Sequence, residues 1–162
     1  MKTSIAAAAV LAACTLATAA HAADYMEQSE RIKGRSYSPA VVTEGGRIVW
    51  LAGETTITDL NGKDIKGDFE AQTRTIFALL DQTLRRAGGS IKDIVSLTAY
   101  MTDARNGMIY SKVRGEMFPD RNFPASAQIT VSNLAVPGMQ IEIHAIAVIG
   151  DKCSKANPCI PR

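Results

Sequence analysis

Glu142 and His144 have the types and spacing best suited to chemistry in this chain. They stand two apart in Ile141-Glu142-Ile143-His144-Ala145-Ile146-Ala147, an otherwise apolar run. A strand turns alternate side chains to one face, so the two would share a face with their backbones about 6–7 Å apart. A carboxylate in such a run is costly to bury unless it is paired or takes part in chemistry. A Glu that orders a water and a His that passes a proton make a workable acid/base pair. The same residues would serve as a structural pair in a polar interface between subunits, and the spacing leaves both readings open.

Other chemistries find less support. The remaining histidine, His21, falls in the N-terminal segment described below, so no His-based metal cluster forms within one mature chain. There is no G-x-S-x-G, no P-loop and no dinucleotide fingerprint. Trp50 reads as a core residue, and Met101, Met108 and Met117 as packing residues.

The elements that must position these residues follow from the pattern of the chain. Its 162 residues, 46% hydrophobic and 21% charged, suit one domain with short extensions. Residues 1–22 read as a signal peptide: Lys2, an apolar Ala-rich run from Ile5 to Ala20, and a small-x-small site at Ala20-His21-Ala22. Leu11-Ala12-Ala13-Cys14 offers an alternative, a lipidated Cys14 and attachment to a membrane. Export implies a periplasmic or secreted protein. The full chain carries 18 basic and 16 acidic residues, and residues 1–22 hold Lys2 and no acid, which leaves 17 against 16, or +1. That balance gives no electrostatic footprint for nucleic acid. Cys153 and Cys159 remain after cleavage, and in an exported protein they are expected to pair. A loop this short tidies a tail more than it holds a fold, and it lacks the C-x-x-C spacing of a redox-active pair.

Residues 23–35 are polar without a clear period and read as a flexible leader. Tyr37 to Thr43 and Arg47 to Gly53 read as a strand hairpin across Glu44-Gly45-Gly46, the second strand covered on both faces. Asp68 to Ala87 is the best helix, with Phe69, Ile76, Phe77, Leu80, Leu84 and Ala87 on one stripe and Gly88-Gly89 as its stop. Ile91 to Thr102 is a strand, Asn106 to Phe118 a second helix, and Ala127 to Ser132 and Gln140 to Ile149 two further strands. Three of these strands carry one apolar face, where both helices should lie, and one half-polar face suited to a subunit interface with a pocket.

In order and spacing, the chain resembles the reactive-intermediate deaminase family (RidA, or YjgF-like). The likeness rests on Leu51-Ala52-Gly53, Glu70-Ala71-Gln72-Thr73, Leu84-Arg85-Arg86-Ala87-Gly88, Asp93-Ile94-Val95, Tyr100-Met101-Thr102-Asp103, Phe123-Pro124-Ala125 and Ile141-Glu142-Ile143 with Ala145-Ile146-Ala147. The resemblance implies an α+β, chorismate-mutase-like (YjgF-type) fold over residues 36–150, a mixed sheet with two helices on one face, followed by a tail at 151–162. It further implies a homotrimer with ligand clefts between adjacent subunits, and hydrolysis of reactive enamines and imines without metal or organic cofactor. Glu142 matches the acid that positions water.

The substrate-binding positions depart from the family pattern. Ser126 stands where deaminase members carry an Arg that holds the substrate carboxylate, and Gln128 where many carry Cys. Ser111 aligns with a common Asn, Tyr37 with an N-terminal aromatic, Ala52 with a common Ser, and His144 with a second acid. Losing the guanidinium should cost on the order of a few kcal/mol of carboxylate binding. A cleft so lined suits a neutral or cationic ligand, unless Arg121, three residues before Pro124, substitutes. Three functions fit: a hydrolase of imines, enamines or related small molecules; a small-molecule-binding trimer without turnover; and the ribonuclease activity known in some relatives, which the near-neutral charge disfavours.

Overall fold

Turn residues and alternating runs cut the chain into a small ribbon, one main sheet and two helices. The computed structural model describes residues 23–154 and 156–161. Strand β1 (Asp24–Tyr25) pairs antiparallel with β2 (Val41–Val42). Then come β3 (Arg47–Trp50), α1 (Phe69–Arg86), β4 (Ile94–Met101), α2 (Gly107–Met117), β5 (Ala125–Thr130) and β6 (Ile141–Ile149). The main sheet has the order β3-β6-β4-β5. Strands β4 and β5 run parallel, with α2 in the crossover between them, and the other neighbours are antiparallel. This is the fold class the sequence implies: two helices on one face of a mixed sheet.

The first helix forms where its stripe lies. Asp68 caps it by accepting from the Ala71 N–H at 3.0 Å, and Phe69, Ile76, Phe77, Leu80 and Leu84 are buried against the sheet. Leu97, Ala99 and Met101 of β4 and Ile141, Ile143 and Ala145 of β6 supply the sheet side of that core. Both helices therefore cover one face, and among the described residues the other is left to solvent.

Three readings are corrected. Trp50 is not core: it is 74% exposed, and Ile48 is 55% exposed. Strand β3 is the sheet edge, and only Val49 and Leu51 pack on the core; Ile48 and Trp50 lie opposite Val148 and Ile146 on the uncovered face. Met108, also expected in packing, is exposed on α2. The segment Tyr37 to Thr43 does not form a hairpin with β3. Val41 and Val42 pair instead with β1, and Ser38 bridges to Ala125.

Residues 23–35, read as a leader without a period, hold β1 and a 3-10 turn at Glu30–Ile32 whose Ile32 is buried. The Asp24 carboxylate accepts from the Cys159 and Ile160 N–H groups, both at 2.9 Å, tying this end to the tail. The Cys153 and Cys159 sulfurs stand at bonding distance, 2.04 Å apart. The signal segment, Cys14 included, lies outside the described residues. Among those described, no helix is long and apolar enough to cross a membrane.

Candidate active site

On the uncovered face of the sheet, β6 presents Glu142 and His144 side by side. Glu142 Oε1 and His144 Nε2 are 3.0 Å apart, and neither residue is buried. In the register Glu142 lies opposite Tyr100 and His144 opposite Thr98 of β4. The Tyr100 ring meets the imidazole edge-on, with centroids 5.4 Å apart. Gly53, just beyond β3, leaves room for the pair: a Cβ there would overlap both Glu142 Oε1 and His144 Nε2. The arrangement holds a carboxylate against an imidazole with solvent in front of both, the geometry a water-activating acid/base pair needs.

The other candidates gather on the helix side of the sheet. Ser126 pairs with Leu97 and Gln128 with Ala99, and both partners are core residues, so these side chains project toward α2. Gln128 Nε2 donates to Ser111 Oγ at 3.1 Å. At the centre lies a residue the sequence reading passed over. Arg114 of α2, only 1% exposed, donates from Nη1 to Ser126 Oγ at 2.5 Å and from Nε to Ser36 Oγ at 3.1 Å. Its guanidinium carbon is 4.9 Å from the Tyr110 ring centroid and 5.7 Å from that of Tyr37. Ser36 in turn donates to the Ser111 carbonyl at 2.7 Å, which fixes its hydroxyl.

Burial lowers the Arg114 pKa, partly countered by Tyr110 and Tyr37, and no carboxylate among the described residues is close enough to contribute. Burial likewise raises the Tyr110 pKa, partly countered by Arg114 and Ser126. The Tyr110 hydroxyl is fully buried and makes no well-formed hydrogen bond, although those two groups stand near it.

The structure thus brings together Tyr37, Ser111, Ser126 and Gln128, adds Arg114, and leaves Glu142 on the opposite face of the same sheet. Arg121 does not join either group. It has a positive φ of 60° and lines a cavity of about 910 Å³ with Asp120, Asn122, Phe123 and the segment after Ala23. That cavity includes neither Glu142 nor Arg114.

Arg114 was legible in one respect. Tyr110, Val113, Arg114 and Met117 fall at i, i+3, i+4 and i+7, so Arg114 occupies a place in the buried stripe of α2. Its charged neighbours Lys112 and Glu116 disguise that stripe as a solvated face.

The family model described as endoribonuclease L-PSP matches residues 29–149. The chain belongs to this family. It is the YjgF/RidA family to which the sequence motifs pointed. A RutC family protein of Pyrococcus horikoshii is 32% identical over 111 residues, covering 68% of this chain and 85% of that protein. The 3-aminoacrylate deaminase RutC of Acinetobacter baylyi is also 32% identical over 111 residues, with the same coverage of 68% and 85%. Among solved structures, a Rid-family protein of unknown function from Yersinia pestis superposes with a TM-score of 0.64 at 31% identity, over 70% of this chain and 87% of that one.

Proposed function

We propose that this RidA-family chain hydrolyses small reactive imines or enamines, as a homotrimer in which Glu142 positions the attacking water. The observation that carries the reading is the Glu142–His144 contact at 3.0 Å on the sheet face opposite α1 and α2. The deaminase among the relatives supports the reaction class. An enamine first takes a proton on carbon to become an iminium ion, the protonated form of the imine. Water then adds to the C=N carbon as Glu142 accepts its proton, giving a neutral carbinolamine. Nitrogen takes that proton and leaves as ammonia while the hydroxyl gives its own proton to Glu142, so iminium plus water gives a carbonyl compound, ammonia and one proton. His144 is placed to pass the proton between carboxylate and nitrogen.

The exposed Ile48, Trp50 and Ile129 on the same face are the surface that neighbouring copies would cover. In this reading residues 1–22 export the protein, and the Cys153–Cys159 bond persists where thiols are oxidised. The near-neutral charge weighs against the ribonuclease suggested by the family description.

The test is ammonia release by the purified protein from freshly generated imines that are acidic, neutral or basic, beside Glu142→Gln. Release abolished by the substitution is the expected result. No release above background from any substrate would replace this reading with a binding protein that does not turn over.

A further inference from the structure

We propose that Glu44, Cys153 and Cys159 form a zinc site that opens when the Cys153–Cys159 bond is reduced. The site belongs to the tail that follows β6 and is independent of the hydrolase reading.

The three side chains offer one carboxylate oxygen and two sulfurs, and these atoms lie within 4.8 Å of one another. Cys159 Sγ and Glu44 Oε2 are 3.7 Å apart. A sulfur and an oxygen on one tetrahedral zinc stand about 3.6 Å apart, given bonds of about 2.3 and 2.1 Å. That edge of the site is therefore already set. The other edge needs the two sulfurs about 3.8 Å apart. Their Cα atoms are 5.5 Å apart, so rotation of the two side chains supplies that spacing without moving the backbone.

The backbone around the ligands is held independently of the bond. Asp151 Oδ1 accepts from the Glu44 N–H at 3.0 Å and from the Cys153 N–H at 2.8 Å, so one carboxylate positions two of the ligands. Asp24 accepts from the Cys159 N–H at 2.9 Å. Between the cysteines, Ser154 and Asn157 exchange backbone hydrogen bonds of 2.9 and 3.1 Å, which close the loop. A second observation points to a cation. Asp151 is 8% exposed, and its Oδ2 is buried with no hydrogen-bond partner among the described residues. A buried carboxylate oxygen left unsatisfied, on the residue that holds Glu44 and Cys153, favours positive charge beside it.

The donor set selects the metal. Two thiolates and one carboxylate suit zinc, whose fourth position goes to water, whereas calcium and magnesium take oxygen ligands. Opening consumes two equivalents of a small thiol. Cys159 is half-buried and Cys153 fully buried, so the incoming thiolate attacks the Cys159 sulfur and Cys153 leaves. A second thiol frees Cys159, giving two protein thiols and the small-molecule disulfide. Zinc then displaces both thiol protons, so one Zn²⁺ and two thiols give a dithiolate site and two protons.

The test is calorimetric titration of zinc into the purified protein, oxidised and then reduced with a phosphine, which has no thiol to compete for the metal. The reduced protein should bind one zinc per chain and release about two protons, read from buffers of different ionisation enthalpy. The oxidised protein should bind none. Glu44→Gln, at an exposed position, should weaken zinc by at least about tenfold, since even groups that only hold a ligand cost that much. Equal binding by oxidised and reduced protein overturns the proposal, because the zinc then lies elsewhere. So does a reduced protein that takes up no zinc, folded or not, because Asp151 and Asp24 must hold the ligands in place without the bond. An affinity unchanged in Glu44→Gln also overturns the three-ligand site.

Discussion

Glu142 stands at the surface of the sheet, and among the described residues its side chain hydrogen-bonds only to His144, so an amide of the same shape should fit there without disturbing the core. Glu142→Gln is accordingly expected to reduce turnover by about 10²–10⁴, the usual range for a lost general base, with a melting temperature close to wild type. A large fall in melting temperature would instead make Glu142 a structural member of the sheet. Gly53 provides an independent handle on the same pair. Gly53→Ala puts a methyl group where Glu142 Oε1 and His144 Nε2 now lie and must push them apart. A misplacement of that size is expected to lower kcat by about a hundredfold while the carboxylate remains present. Unchanged kinetics in Gly53→Ala would show that the carboxylate works from a different rotamer. The shared face of Glu142 and His144 was legible in the sequence because the two stand at i and i+2 in a strand. Arg114 was legible only as a member of the α2 stripe, because its contact with a serine twelve residues further along is announced by no local pattern.

At the scale of elements, legibility follows how local the determinants are. Helix α1 carries its own stripe, cap and stop, and the structure reproduces it within one residue at each end. Strand β2 carries only two residues of pairing, and its partner lies in a segment with no period of its own. The apolar run of β3 looked doubly covered because a single chain does not say what will lie on its second face. The β1 segment makes a prediction of its own. The Tyr25 pKa is pushed up to about 12 by burial first, then by the charges of Asp93 and Asp151. The fold therefore favours the neutral phenol. Above pH 10 the unfolded chain releases this proton before the folded one does, so stability falls as pH rises from 10 to about 12. Tyr25→Phe has no proton to lose. The wild type should lose up to roughly 2–3 kcal/mol more than the variant across that window in urea titrations. Parallel curves for the two proteins would place Tyr25 in water.

At the scale of the whole molecule, the sheet itself separates the two groups of candidate residues. Glu142 and His144 occupy one face of β6, while Ser126 and Gln128 share the face of β4 and β5 that carries the helices. The face that carries Glu142 also exposes Ile48, Trp50 and Ile129, an apolar patch that water alone covers poorly. In the hydrolase reading neighbouring copies cover it, so a charge placed there should prevent assembly. Trp50→Glu is expected to turn a trimer into monomers in light scattering, and to remove turnover with it, because a cleft between subunits needs both of them. Strand β5 is the other edge of the sheet and is exposed along most of its length, so it is the edge available to the neighbouring copy. A variant with the mass of the wild type would mean that this face is not the interface, and full turnover in a monomeric variant would mean that each chain holds a complete site.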